Sequence, residues 1–154
     1  MTNSMMNLSL DLPSPLNPPF AERPDLKSLG KVHFVGIGGA GMSAIATLML
    51  QAGMTVSGSD KSESAAVEKL RSQGATVAVP QVAANIGDAD TVVISTAIKE
   101  DNPELAEARA QGIRVLHRSE ALAATMSDSH VIAVAGTHGK TTTSSMVSVM
   151  MDAL

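Results

Sequence analysis

The chain has 154 residues, 44% hydrophobic and 17% charged, enough for one sizeable core and inconsistent with wholesale disorder or a fibrous repeat. Its formal net charge of −4 and its lack of a Lys/Arg-rich run argue against nucleic-acid binding, which needs clustered cations. Without cysteine there is no disulfide framework or thiolate metal site, a composition that suits a reducing compartment, and two aromatic residues, Phe20 and Phe34, provide no base-stacking platform.

Residues 1–28 carry Pro13, Pro15, Pro18, Pro19 and Pro24 among Ser, Asn and Asp, with no sustained period, and are expected to form a flexible leader. That start lacks the basic cluster and apolar run of a signal peptide. No apolar stretch approaches the roughly 20 residues of a membrane span, so a cytoplasmic protein without membrane insertion is expected. From Lys31, short β-branched runs alternate with helical segments, the pattern of a βαβ chain and a parallel sheet. Strands are predicted at Val32–Val35, Thr55–Gly58, Ala75–Val79, Thr91–Ser95, Ile113–Leu116 and Val131–Val134. Helices are predicted over Ala40–Ala52, Ser64–Gln73, Pro103–Gln111, Glu120–Met126 and from Thr141 onward. Gly53, Gly74 and Gly112 fall where left-handed C-caps belong, and Pro103 suits a first helical turn. The fold class expected is α/β: a Rossmann-like parallel sheet with helices on both faces over residues 29–120. A strand, phosphate loop and helix then open a second, ATP-binding unit over residues 121–154. Only one helix can follow that loop, so the second unit is expected to be incomplete in this chain.

Two glycine-rich loops carry the chemistry. Gly36-Ile37-Gly38-Gly39-Ala40-Gly41 fits G-x-G-x-x-G between an apolar strand and a helix. Gly36 would make the turn, Gly38 would let backbone approach a pyrophosphate, and Gly41 would let helix and strand pack closely. Asp60, at the end of the second strand, is placed to bind a ribose hydroxyl; a helix N-cap before Lys61-Ser62-Glu63 is the structural alternative. Alone, this loop describes an NAD site. The second loop, Gly136-Thr137-His138-Gly139-Lys140-Thr141-Thr142, places an ammonium, a hydroxyl for Mg²⁺ and a run of N–H groups where ATP phosphates would lie. It departs from G-x-x-x-x-G-K-[ST], because Val134 stands at the first glycine position.

Four blocks in order resemble the N-terminal part of the Mur ligases: His33 to Ser43; Gly58-Ser59-Asp60; Ser95-Thr96-Ala97-Ile98 with Asn102-Pro103-Glu104; and Ala135 to Thr143. The form of the first loop is most similar to the L-alanine-adding members, with the murein-tripeptide recycling members second. Gly-Thr-His-Gly-Lys-Thr-Thr is the family's own loop variant, which accounts for Val134. The resemblance implies that the first loop holds the UDP part of UDP-N-acetylmuramate rather than NAD, through Gly36, Gly38, Gly39, Ala40, Gly41, Met42 and Ser43. Asp60 would meet the uridine end, while Ser95, Thr96, Ala97 and Asn102 would line the same cleft. Ordinary turn chemistry at Ser95 and Thr96, and a helix cap at Asn102, stay open beside that role.

The same resemblance implies an ATP- and Mg²⁺-dependent acid–amino-acid ligase that joins L-alanine to the lactyl carboxylate through an acyl phosphate. Gly136, Thr137, His138, Gly139, Lys140, Thr141 and Thr142 would bind ATP, with Lys140 catalytic and Thr141 on Mg²⁺. The 154-residue chain alone is expected to lack turnover. His33, His117, His130 and His138 have no spacing for a metal site. Met146, Met150 and Leu154 share one face of the last helix. An NAD-dependent oxidoreductase domain would leave Lys140 and Thr141 unused, and a non-catalytic nucleotide-binding module is the third alternative; oligomeric state is not legible.

Overall fold

A computed structural model describes residues 25–127 and 131–153. Five parallel strands form one sheet in the order β3-β2-β1-β4-β5, with β1 Val32–Val35, β2 Val56–Ser59, β3 Thr76–Ala78, β4 Thr91–Ile94 and β5 Arg114–His117. β1 is central and wholly buried, with Val32, Phe34 and Val35 packed against layers on both sides and His33 buried among them. Alternate β1 and β4 residues separate to the two faces. Phe34 and Val93 join a core closed by α1 (Ala40–Gln51), α2 (Ala65–Ser72) and α4 (Arg118–Thr125). Val35 and Val92 join a smaller core closed by α3 (Pro103–Ala110) and the 3₁₀ turn Ala83–Ile86. The Rossmann-like α/β architecture is as expected.

Local chemistry explains the helix ends. Ser64 caps α2 by accepting from Val67 N–H, and Asn102 caps α3 ahead of Pro103. His117 and Glu120 form a reciprocal box at the start of α4. After α1, α2 and α3 the chain turns through glycine, and the next residue donates five positions back: Met54 to Met49, Ala75 to Leu70, Ile113 to Ala108. That is the Schellman pattern the glycine positions predicted.

Several expectations need correction. The leader was expected to run to residue 28, and residues 1–24 lie outside the described residues. Leu26–Leu29 instead form a 3₁₀ turn, and Leu29 is fully buried, its carbonyl accepting from Thr91 Oγ1 at 2.8 Å. Leucines three apart give that turn an apolar side to bury. α4 spans the division expected after residue 120 and buries Ala121 and Ala124 in the larger core. No strand forms at 131–134: Val131 and Ile132 are 54% and 61% exposed, and among the described residues no strand pairs with them. β-branched sequence favours extended backbone, but a strand also needs a neighbour for its ladder. α5 (Lys140–Asp152) forms as expected and buries none of its residues; Leu154 lies outside the described residues.

Candidate functional site

Strand order reverses between β1 and β4, and the carboxyl edge of the sheet at that reversal is where open α/β folds take ligands. The first glycine loop lies there. Gly36 makes the turn with φ of 77°, a conformation that a side chain would strain. The N–H groups of Gly36 and Ile37 both donate to the Ser59 carbonyl, at 2.8 and 2.9 Å. Gly38 N–H donates to Asp60 Oδ2 at 2.8 Å, while Asp60 Oδ1 accepts from Lys61 N–H at 2.7 Å. The end of β2 therefore clamps the loop that follows β1.

This geometry changes the roles of three residues. The alternative of Asp60 as a helix cap fails, because Ser64 caps α2; Asp60 braces the glycine loop and keeps lone pairs for a further donor. A Cβ on Gly38 would come within 2.7 Å of Asp60 and 3.3 Å of Val67, so this glycine admits the β2–α2 connection. A Cβ on Gly41 would meet Arg118 Nη1 at 2.6 Å, so the space it leaves is filled from α4 rather than by a strand.

Two adjoining hollows make up the cleft. One, of about 280 Å³, is lined by Gly36, Gly39, Ala40, Gly41, Met42, Asp60, Lys61, Gln81, Ser95, Ala97, Ile98 and Arg118. The other, of about 340 Å³, shares Lys61, Gln81, Ala97 and Ile98 and extends to Lys99, Asp101 and Asn102. Most residues expected from sequence thus meet in one place. Ser43 lies instead in the groove between α1 and α2, with its hydroxyl on the Ala40 carbonyl at 3.2 Å, and Thr96 is exposed on the turn. Asn102 acts as a cap, Oδ1 accepting from Glu104 and Leu105 N–H at 3.0 and 3.2 Å, and its Nδ2 donates to Gln81 Oε1 at 3.2 Å. Ser95 forms a turn, its carbonyl accepting from Ile98 N–H.

Sequence reading missed Lys61, Gln81, Lys99 and Arg118. Each sits just past the carboxyl end of β2, β3, β4 or β5, which is the signal that could have found them. Lys61, Lys99 and Arg118 form no ion pair among the described residues, so their charges face the cleft and solvent. Beneath the cleft, Glu104 is buried on Ser59 Oγ at 2.5 Å and Asn85 Nδ2 at 2.7 Å. Burial pushes its carboxyl upward, but the His33 ring and the Ser59 and Asn85 donors outweigh this and hold it below the usual carboxylate range. His33 Nε2, 3.6 Å from Glu104, is beyond hydrogen-bond reach, while its Nδ1 pairs with Ser57 Oγ at 3.0 Å.

The second loop is built separately. Gly139 starts α5 in the left-handed region, Lys140 is its first helical residue, and Lys140 Nζ folds back onto the Gly136 carbonyl at 2.5 Å. Thr137, His138, Thr141 and Thr142 are exposed around it, and His138 Nδ1 lies 3.2 Å from Thr137 Oγ1. α1 and α5, the helices that follow the glycine loops, begin on glycine without a side-chain cap, whereas α2, α3 and α4 are capped by Ser64, Asn102 and His117. Their first-turn N–H groups stay available for an anion. His130 lies outside the described residues. Among those described, no helix is long and apolar enough to cross a membrane.

The family model described as "Mur ligase family, catalytic domain" matches residues 31–130. The UDP-N-acetylmuramate--L-alanine ligase of Renibacterium salmoninarum is 60% identical over 127 residues, 82% of this chain and 27% of that protein. The protein of the same name from Thermobifida fusca is 54% identical over 130 residues, 84% of this chain and 28% of its own length. The crystal structure of UDP-N-acetylmuramate-alanine ligase from Thermotoga maritima superposes with a TM-score of 0.70 at 40% identity, covering 77% of this chain and 28% of that one. A murein peptide ligase from Psychrobacter arcticus gives a TM-score of 0.71 at 33% identity, covering 77% and 25%. The chain spans little more than a quarter of the length of these relatives. The glycine loop clamped by Ser59 and Asp60, the cleft at the strand-order reversal and the family match to residues 31–130 together establish that this chain belongs to the Mur ligase family.

Proposed function

We propose that this chain is the UDP-sugar-binding part, with the opening of the ATP-binding part, of an enzyme that ligates L-alanine to UDP-N-acetylmuramate. The observation that carries the reading is the braced glycine loop at the base of a cleft rimmed by Lys61, Lys99 and Arg118, on a chain 54–60% identical to ligases of that name. A pyrophosphate fits such a place: N–H groups at the start of α1 point outward, and cations stand beside them. The N–H groups of Ala40, Gly41 and Met42 would hold the pyrophosphate, with Gly36 and Gly39 shaping the turn against it and Gly38 and Ser43 supporting the loop and first turn. Asp60 would accept from a uridine-end hydroxyl while keeping Gly38 in place, and Ser95, Thr96, Ala97 and Asn102 would line the sugar side.

In the reaction proposed, a lactyl carboxylate oxygen attacks the γ-phosphorus of ATP and ADP leaves. The L-alanine amine then attacks the acyl carbon, phosphate departs, and the amine loses its proton as the amide forms. Lys140 would offset charge on the transferred phosphoryl group, and N–H groups from Gly136 to Thr142 would hold the phosphate oxygens. The exposed hydroxyl of Thr141, at the start of α5, suits an Mg²⁺ ligand, and Mg²⁺ when bound would neutralise phosphate charge. His138 is assigned to nucleotide contact, since this route asks the loop for no base. The reading sets the chain in the cytoplasm and gives the isolated 154 residues no turnover.

Calorimetric titration with UDP-N-acetylmuramate and, separately, NAD tests the first site. Saturable binding of the UDP-sugar, weakened by Asp60→Ala and indifferent to Lys140→Ala, is expected. Binding of NAD without the UDP-sugar would overturn the proposal in favour of a dehydrogenase-type domain. For the second site, alanine-dependent ADP release by this chain alone would overturn the assignment of turnover to a larger protein.

A further inference from the structure

Three segments remote in sequence wall the cleft: the glycine loop after β1, the Pro80–Gln81 turn after β3, and the Asn102 cap of α3. Glu104 touches the support of each. Its Oε2 accepts from Ser59 Oγ at 2.5 Å, and the carbonyl of Ser59 holds the N–H groups of Gly36 and Ile37. Its Oε1 accepts from Asn85 Nδ2 at 2.7 Å, and the same nitrogen donates to the Pro80 carbonyl at 2.9 Å. Its backbone N–H donates to Asn102 Oδ1 at 3.0 Å, and Asn102 Nδ2 reaches Gln81 Oε1 at 3.2 Å. The circuit closes on itself, from Glu104 through Asn85, Pro80–Gln81 and Asn102 back to Glu104.

We propose that Glu104 is a positioning residue: one buried carboxylate sets the glycine loop and the Pro80–Gln81 turn against the Asn102 cap, fixing the width of the cleft before a nucleotide sugar enters. Its ligand rests on the UDP-sugar reading above; its geometry does not. Volume alone cannot account for a carboxylate here. Leucine or methionine would fill a core site without the cost of burying charge, whereas a carboxylate takes donors from two separate elements at once, the end of β2 and the 3₁₀ turn. Glu104 lies below the cleft and acts through Ser59 and Asn85, so it is not a catalytic residue.

The test is amide hydrogen exchange by NMR on the full 154-residue chain without ligand, comparing wild type with Glu104→Gln. Glutamine keeps the volume but turns an NH₂ toward one of the two donors. Exchange at Gly36 and Ile37 is expected to accelerate about tenfold relative to Val32 and Phe34 in β1, which report global opening; this is the ratio a single charged hydrogen bond supports. Acceleration at β1 with the loop ratio unchanged would mark Glu104 as merely structural and overturn the proposal. Should Glu104→Gln not fold, Asn85→Ala removes one arm only. It is expected to loosen Gly36 and Ile37 as well, and a response confined to residues 80–86 would overturn the circuit. In parallel titrations, UDP-N-acetylmuramate is expected to bind Glu104→Gln about tenfold more weakly, and unchanged affinity would refute control of cleft width. Failure of the wild type to bind the UDP-sugar would count against the ligand, while the exchange ratio would still decide the role of Glu104.

Discussion

Gly58→Ala adds a single methyl group where β2 passes beneath the glycine loop. Gly58 pairs with Phe34 in register, and its new Cβ would stand 2.6 Å from Ile37 Cδ1, 2.8 Å from the Phe34 carbonyl oxygen and 2.9 Å from Ile37 Cβ. Ile37 and Phe34 are fully buried, so neither side chain can swing into solvent, and the carbonyl must retreat by about 0.6 Å to reach a tolerable 3.4 Å. Overpacking of this kind costs about 1–3 kcal/mol. Glycine to alanine in extended backbone returns about 0.4–1 kcal/mol through the unfolded chain, leaving roughly 1–2 kcal/mol of net destabilisation. For a unit of this size that is a fall in Tm of about 5–15 °C, readable by far-UV circular dichroism with urea titration beside it. Ile37→Val in the Gly58→Ala background deletes the nearest clashing atom and should restore part of the loss. Gly53→Ala is the control: it has open space and φ of 79°, so its cost of about 1 kcal/mol comes from backbone alone and no Ile37 change rescues it. A Gly58→Ala protein within about 0.5 kcal/mol of wild type would refute the close approach of β2 to the loop.

Arg118→Ala should weaken UDP-N-acetylmuramate about tenfold at low salt, with the gap narrowing as salt rises and Tm unchanged, because Arg118 is exposed and unpaired among the described residues; equal affinity by calorimetry would remove it from the site. Glu104 has a folded pKa below its usual 4.5, so its stabilisation is present above that value and lost as pH falls through the lower folded value; Glu104→Gln should flatten the acid limb of a stability–pH curve, and parallel limbs would exclude the effect. Glu63, Asp88 and Glu100 are lowered too by their pairs with Arg71, Lys31 and Arg109, but these are exposed and unaltered in the variant, so the difference isolates Glu104. Removing residues 131–154 should shift Tm by no more than about 2 °C, since α5 buries none of its side chains; a larger fall would show docking onto the first unit.

Much of the fold was legible because its signals are local. Alternation of β-branched runs with helical segments, glycines after α1, α2 and α3, and Pro103 after Asn102 each act within a few residues. The glycine turn after β1 was legible for the same reason, and Asp60 beside it at the end of β2. What escaped is long-range. Nothing near Gly38 in sequence announces that its missing Cβ makes room for Asp60 and Val67, or that Arg118 fills the space beside Gly41. Glu104 entered only as the end of the Asn102-Pro103-Glu104 block, without a role of its own, because the partners that bury it, Ser59 and Asn85, stand 45 and 19 positions away. The strand expected at 131–134 failed in the opposite sense, having the right local residues without a partner ladder.

The two glycine loops therefore differ in what their own surroundings supply. The first is held at five points: two N–H groups on the Ser59 carbonyl, one on Asp60, the Gly39 N–H on the Gly36 carbonyl, and the buried Ile37 side chain. Its shape is set before any ligand arrives, so on the function proposed above it would spend little binding energy on ordering. The second is held mainly by itself, through Lys140 on the Gly136 carbonyl and the first turn of α5, while Met146, Val149 and Met150 stand 62–70% exposed. A helix of 13 residues with no buried face is marginal in water, so among the described residues nothing beyond its own first turn steadies this loop. On the function proposed above, sugar recognition and phosphoryl transfer would separate physically, the first resting on contacts within residues 25–127, the second on surfaces that α5 presents and does not itself satisfy.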